Sequence, residues 1–290
     1  MISIPGIILL DKVAGISSAK AIQEVKNKLS IKKIGHGGTL DPGATGLLVC
    51  LLNGATRLAS FVEHGEKIYS GTFRIGTVTT SDDIFGEVIS KTDKVPSFDQ
   101  ISKLAKNFLG KIQQIPPNVS AVKVNGQRAY KAARKGESLA LKAREVEVMD
   151  FELSPTREST IVNYKITCSR GTYIRSLARD LGDLLGCGAC VESLRRLRSF
   201  PFDIANSKTI NELSSLDIIP WDKLFPNSKA LILPEEQVRM IVAGNNRVFS
   251  DIPKPNGFGF GIVYEQSSQN PLGLLKVEGD NWKIAANILS

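Results

Sequence analysis

The residue best placed to do chemistry is Asp41, in the run Gly35-His36-Gly37-Gly38-Thr39-Leu40-Asp41-Pro42-Gly43-Ala44-Thr45-Gly46. Five glycines and a proline over this stretch argue against a regular helix or strand, so the run reads as a shaped loop. Pro42 fixes its own φ and biases Asp41 away from helix. Glycines at 37, 38, 43 and 46 let another backbone or a ligand come close. A carboxylate presented this way can serve as nucleophile, general base or metal ligand. The competing reading is an ordinary Asx-turn. Gly43-Ala44-Thr45-Gly46 also fits the GxxG of KH domains, a pattern too short to carry weight.

Three further groups could carry chemistry. Arg170-Gly171-Thr172-Tyr173-Ile174-Arg175 opens a helical pattern, where an arginine is unfavourable for the macrodipole unless it has a partner elsewhere. Placed near Asp41, Arg175 would keep that carboxylate ionised, and otherwise it is a surface charge. Lys123, Arg128, Lys131, Arg134 and Lys135 surround Tyr130, with 128, 131 and 134/135 on one helical face, and Arg195, Arg196 and Arg198 form a second basic cluster. Interleaved rings and cations suit RNA, although a solvated charged face explains each cluster equally well. Finally, His64-Gly65-Glu66 with Cys187-Gly188-Ala189-Cys190 mimics the H-x-E and C-x-x-C halves of zinc nucleobase deaminases, without the proline before the first cysteine.

Composition narrows the field. The 290 residues carry 37 Lys+Arg against 29 Asp+Glu, a net charge of +8 that suits a polyanionic partner. With only two histidines, His36 and His64, a multi-histidine metal cage is impossible. No G-x-S-x-G elbow, P-loop or G-x-G-x-x-G occurs. No apolar run approaches the ~20 residues of a membrane span, and the opening lacks a signal-peptide pattern. Four cysteines are too few for a disulfide framework in a chain of this size. A soluble, cytoplasmic protein is expected.

Elements must position these residues. Ile7–Leu10 reads as a strand, and Ser17 and Ser18 cap a helix with Ala21, Ile22, Val25 and Leu29 at helical spacing. Leu47–Leu52 is a buried strand and Tyr69–Val78 another. Ser97 and Gln100 form a capping box before Ile101, Leu104, Ala105, Phe108 and Leu109, with Gly110 as the stop. Val162, Tyr164, Ile166 and Cys168 keep a period of two, and Ile174 to Leu185 is an amphipathic helix ended by Gly186. The class is α+β: a mixed, largely antiparallel sheet with flanking helices. From about residue 200 prolines punctuate a linker or wrapping stretch, and apolar pieces at 238–242, 259–263 and 274–277 suggest a small β-rich appendage. A catalytic domain over 1–228 and a small domain over 229–290 are expected.

Taken together, the residues 35–42 with Ala44, Gly46, Leu48 and Gly54-Ala55-Thr56-Arg57 resemble the signature loop of TruB-type tRNA pseudouridine-55 synthases. Asp11-Lys12, Gly15, Ser17-Ser18, Tyr69, Thr80-Ser81-Asp82, Ser120-Ala121, Lys123, Gly126, Arg128, Ala129-Tyr130, Ala133-Arg134, Gly136, Arg170 to Arg175 and Leu194 to Leu197 continue the match in order. Val13 departs from the usual proline, and the match to the family's PUA-like C-terminal domain is weak. The resemblance implies the pseudouridine synthase fold and isomerisation of uridine 55 in the T arm of tRNA. Asp41 would be the nucleophile, attacking ribose C1′ or base C6 or promoting a glycal path. Tyr69 would stack on the target base, Arg175 would hold Asp41, Tyr173 and Leu194 would line the pocket, and Asp82 would sit on a neighbouring polar loop. His36 would support the extruded nucleotide, while Lys123, Arg128, Tyr130 and Arg134 would contact RNA. No cofactor, metal, membrane or obligate protein partner is implied, and a monomer is expected. Two alternatives compete: a zinc-dependent nucleobase deaminase, and a non-catalytic RNA-binding or RNA-folding protein.

Overall fold

The computed structural model describes residues 2–119, 123–124, 127–128, 141–250, 252, 257, 259–266 and 270–288. In chain order the first elements are β1 (Gly6–Lys12), α1 (Ser18–Lys28), β2 (Ile34–Gly37), β3 (Thr45–Leu52) and α2 (Ala59–His64). Next come β4 (Lys67–Ile75), β5 (Thr77–Thr79), β6 (Val88–Lys91), α3 (Phe98–Ala105), β7 (Gly110–Gln114), β8 (Lys123–Val124), β9 (Gln127–Arg128), β10 (Arg144–Pro155), β11 (Ile161–Cys168), α4 (Ile174–Leu185) and β12 (Ala189–Ser199). The C-terminal part holds β13 (Phe202–Asp203), β14 (Lys229–Leu233), α5 (Glu235–Val242), β15 (Phe260–Glu265), β16 (Pro271–Glu278) and β17 (Asn281–Asn287). Contacts divide the chain into two compact units: Met1–Pro42, Gly46–Glu63 and Ser199–Ser290 form one, and Gly43–Thr45 with His64–Arg198 the other.

In the first unit β3 is flanked by β1 and β2, both antiparallel, with Ile8 opposite Cys50 and His36 opposite Cys50 on the other edge. Both faces of β1 and β3 are covered, which is why their sequences are continuously apolar rather than alternating. Ile8, Leu10, Leu48, Cys50 and Leu52 pack with Ala21 and Val25 of α1, and Ile7, Leu9, Leu47, Val49 and Leu51 pack with Trp221, Leu224, Ile262 and Leu274. The C-terminal sheet runs β14-β15-β16-β17, with the first pair parallel and the others antiparallel.

The second unit is built on a sheet in the order β12-β4-β11-β10-β7, in which β4–β11, β11–β10 and β10–β7 pair antiparallel. Val162, Tyr164, Ile166 and Cys168 of β11 face inward, and Ile174, Leu177, Ala178 and Leu181 of α4 pack into the same cluster. Tyr164 is buried, stacks on Phe73 with centroids 4.2 Å apart, and donates its hydroxyl to the Ser193 carbonyl at 2.8 Å. Gly186 closes α4 in the left-handed conformation, as its sequence position predicts.

Three expectations need correction. The run 35–46 is not all loop, because Gly35, His36 and Gly37 belong to β2. Pairing with β3 satisfies their backbone groups, and a Cβ at Gly37 would lie 2.2 Å from the Val62 side chain, so the glycine is there for close packing. The Tyr69–Val78 strand breaks at Gly76 into β4 and β5. The apolar piece 238–242 is helical: Pro234 and two glutamates start α5, and Val238 and Ile241 turn inward one helical step apart.

Leu51 is fully buried between strand partners, and truncating it leaves a cavity. Leu51→Ala should cost about 2–5 kcal/mol of unfolding free energy, read in urea by tryptophan fluorescence, since Trp221 and Trp282 both belong to this unit.

Candidate active site

Asp41 lies in the irregular segment between β2 and β3, half-buried, after a buried Leu40 and before an exposed Pro42. The peptide groups on either side of it are anchored from the β1–α1 connection. Ser18, the first residue of α1 and itself buried, accepts from the Leu40 N–H at 2.8 Å and donates to the Leu40 carbonyl at 2.9 Å. Lys12, only 1% exposed at the end of β1, donates Nζ to the Val13 carbonyl at 2.9 Å and the Pro42 carbonyl at 3.3 Å. The Gly15 N–H reaches the same Pro42 carbonyl at 2.9 Å. Irregular backbone near a core must find partners for its polar groups, and here Ser18, Lys12 and the Gly15 amide supply them. Of the two serines expected to cap α1, only Ser17 does so, accepting from the Lys20 N–H at 3.2 Å. Ser18 faces the loop.

In the second unit the start of α4 gathers several of the expected residues. Tyr173 is the residue before the helix, its N–H donating to Gln114 Oε1 at 2.8 Å and its carbonyl accepting from Gln114 Nε2 at 3.1 Å. The Arg144 guanidinium lies 4.4 Å over the Tyr173 ring, a cation–π contact. Arg175, 4% exposed, donates to the carbonyls of Ser81 and Val119, each at 2.9 Å, with Asp83 Oδ2 at 3.7 Å. One turn later Arg179 pairs with Asp82 at 3.2 Å and Asp180 at 2.8 Å, and donates to the Ile115 carbonyl at 2.9 Å. Burial pushes the Asp82 carboxyl above its ordinary 3.8, while Arg179 and Arg175 pull it back and Asp180 adds to the rise. Asp82 also holds a left-handed φ of 61°, a conformation that persists in a non-glycine residue only where its surroundings insist on it.

Tyr69 on β4, opposite Ile166 of β11, and Leu194 on β12 pack against the core cluster that holds Tyr164 and Leu177. The buried Tyr164 hydroxyl is pushed well above its ordinary value by desolvation and by the Tyr69 phenol beside it. The Leu194 carbonyl accepts from Thr45 Oγ1 at 3.5 Å. His36 sits on β2, in the same unit as Asp41. The second unit therefore collects Tyr69, Asp82, Tyr173, Arg175 and Leu194, and the first holds Asp41 and His36. Lys123 of β8 and Arg128 of β9 are backbone partners in an antiparallel pair, which places Arg128 on a strand rather than a helical face. Tyr130 and Arg134 lie outside the described residues.

Sequence reasoning missed Lys12, Ser18, Gln114, Arg144 and Arg179 as positioning groups. Lys12 is buried at the end of a strand covered on both faces, so strand alternation gave no signal for it. For Gln114, whose partner is the main chain of Tyr173, 59 residues away, no local pattern exists. The deaminase constellation is not assembled: His64 Nε2 meets the Arg170 guanidinium, a cation where that motif needs a metal. Burial raises the Cys190 thiol to about 11. Among the described residues no group of three or more His, Cys, Asp or Glu side chains converges as a metal site.

Comparison with known proteins adds a family. Residues 26–174 match "TruB family pseudouridylate synthase (N terminal domain)", and residues 175–238 match "tRNA pseudouridylate synthase B C-terminal domain". The chain is 43% identical over 217 residues to the tRNA pseudouridine synthase B of Roseobacter denitrificans (strain ATCC 33942 / OCh 114), covering 75% of this chain and 72% of that one. It is 41% identical over 250 residues to the tRNA pseudouridine synthase B of Ehrlichia chaffeensis (strain ATCC CRL-10679 / Arkansas), covering 85% and 82%. Among solved structures it is similar in fold to a chain of a Cbf5-Nop10-Gar1 complex, with TM-score 0.72, 24% identity and coverage of 98% of this chain and 84% of that one.

The raised Asp82 value has a consequence for stability. The folded protein keeps this proton to higher pH than the unfolded chain, so the associated stability is present at low pH and lost as pH climbs past 3.8. Asp82→Asn removes that loss. The unfolding free energy of the variant relative to wild type should therefore rise as pH climbs past 3.8, measured by urea titration at each pH, and a flat difference would contradict the assignment.

Proposed function

Because the chain belongs to the TruB family of pseudouridylate synthases, we propose that it converts uridine 55 in the T arm of tRNA to pseudouridine, with Asp41 as the nucleophile. The reaction breaks the N1–C1′ bond and forms a C5–C1′ bond. C5 loses a proton and N1 gains one, so the nucleotide's formula is unchanged and no oxidant or reductant enters. A carboxylate is suited to this task, as it can form a covalent adduct with the substrate and then leave.

The observation that carries the reading is the two-sided anchoring of the Asp41 backbone. Ser18 holds Leu40 and Lys12 holds Pro42, in a chain whose sequence over this loop is that of the family. Catalysis through a positioned group depends on such fixing, because a misplacement of about 1 Å can cost two orders of magnitude in rate. The roles assigned by resemblance complete the proposal. Tyr69 stacks on the extruded base, Arg175 is the counter-charge for the nucleophile, Tyr173 and Leu194 line the pocket beside the polar Asp82 loop, and His36 supports the flipped nucleotide. Lys123, Arg128, Tyr130 and Arg134 contact RNA, and the enzyme acts on its tRNA without an obligate protein partner. Extruding a stacked base costs on the order of a few kcal/mol. Stacking on a tyrosine returns ~1–3 kcal/mol, and phosphate contacts add a salt-dependent remainder.

Asp41→Asn keeps the shape of the side chain and removes its charge. Incubated with uridine-55 tRNA, it should form no detectable pseudouridine while binding the RNA within a few-fold of wild type. Conversion at a near wild-type rate would overturn the assignment. Ser18→Ala should lower the rate at saturating RNA by about 10- to 100-fold while leaving RNA affinity within about twofold, because it loosens the nucleophile's backbone rather than a substrate contact. A loss confined to KM would show that Ser18 does not act through Asp41.

A further inference from the structure

We infer that Phe85 is a stacking platform for an unpaired RNA base next to the target nucleotide, a role that rests on the functional reading above. Phe85 is 71% exposed, an unusual setting for a phenylalanine. One edge of its ring nevertheless sits on the main chain of Gly43. A Cβ built on that glycine would lie 2.0 Å from Phe85 Cε2 and 2.6 Å from Cζ, so only glycine allows the ring this seat. Gly43 follows Asp41 by two residues, a reach of no more than about 7 Å along the chain. A base lying on Phe85 is therefore close in the RNA chain to the nucleotide that Asp41 addresses.

The turn that carries the ring is rigid. Asp83 Oδ1 accepts from the Phe85 N–H at 3.0 Å and from Ser81 Oγ at 2.7 Å, and its other oxygen faces Arg175 at 3.7 Å. The Asp83 carbonyl accepts from Thr79 Oγ1 at 2.7 Å and the Gly86 N–H at 3.2 Å. The neighbouring backbone is tied to β12, with Ile84 N–H donating to the Val191 carbonyl at 2.9 Å and Val191 N–H to the Asp82 carbonyl at 3.0 Å. Such a frame holds an apolar ring outward that folding alone would leave loose or bury. Preorganised aromatic rings are what single-stranded nucleic acid stacks on, and stacking works with any base because each has a π-face. In a chain of net charge +8 whose family acts on a uridine, RNA is the occupant with both the flat face and the negative backbone to match.

The test compares wild type with Phe85→Ala, Phe85→Leu and Phe85→Tyr, using a T-arm stem-loop RNA. Phe85→Ala should weaken binding about 5- to 150-fold, the range that base–aromatic stacking spans, with the loss in KM rather than in the saturating rate. Phe85→Tyr should stay within about twofold of wild type, and Phe85→Leu, apolar but without a π-face, should resemble Phe85→Ala. Replacing the stacked nucleotide by an abasic site should erase the difference between wild type and Phe85→Ala at one position of the loop, as expected for a directly coupled pair. Unchanged affinity in Phe85→Ala, or wild-type affinity in Phe85→Leu, would overturn the inference, the latter pointing to an apolar protein contact instead. Binding constants judge the platform, whereas pseudouridine formation by wild type judges the functional reading, so the two can fail separately.

Discussion

A backbone segment that is neither helix nor strand, set against a core, must have its peptide groups satisfied by something that does not move. In this protein the segment is Leu40–Pro42, and the satisfying groups are a buried hydroxyl and a buried ammonium. Ser18 reads both polar atoms of one peptide residue, which specifies that residue's orientation as well as its position. Lys12 and the Gly15 amide converge on a single carbonyl two residues later. Asp41 lies between these anchors. The main chain on either side of it is held by residues from other elements.

The same logic, with charges in place of neutral groups, governs the start of α4. Arg175 and Arg179 stand one turn apart on one helical face, and their guanidiniums meet Asp82, Asp83 and Asp180 together with the carbonyls of Ser81, Ile115 and Val119. Guanidiniums so little exposed are tolerable because each has several acceptors. The network also explains why a non-glycine residue adopts φ of 61° at Asp82, since its carbonyl is tied to Val191 and its carboxylate to Arg179. Strain in the 80–86 turn is thereby offset by bonds from two other elements, and the turn becomes a fixed support rather than a mobile tip.

Both regions draw on residues distant in sequence: 22 positions separate Ser18 from Leu40, 30 separate Lys12 from Pro42, and 94 separate Arg175 from Ser81. The fold brings them together through strands whose two faces are both covered. A β1 that packs α1 on one side and Trp221 and Leu224 on the other leaves little freedom for the connection between β1 and α1. The end of β1, the start of α1 and the turn between them supply the anchors.

Local patterns determined a good deal by themselves. The Ser97–Gln100 capping box, the period-two run of β11, the amphipathic α4 and its glycine stop all follow from interactions within a few residues, so one stretch of chain suffices to read them. The glycine-rich run around Asp41 also stood out locally, as a candidate site beside the reading of an ordinary Asx-turn. Tertiary structure decided the rest. Strand pairing with β3 overrode the poor strand propensity of Gly35 and Gly37, helical packing claimed residues 238–242, and burial decided which of two adjacent serines caps a helix and which grips a loop. The physical reason is common to all three: hydrogen bonds and buried area contributed by remote residues outweigh intrinsic preferences worth about 1 kcal/mol, and a remote partner leaves no trace in the local pattern.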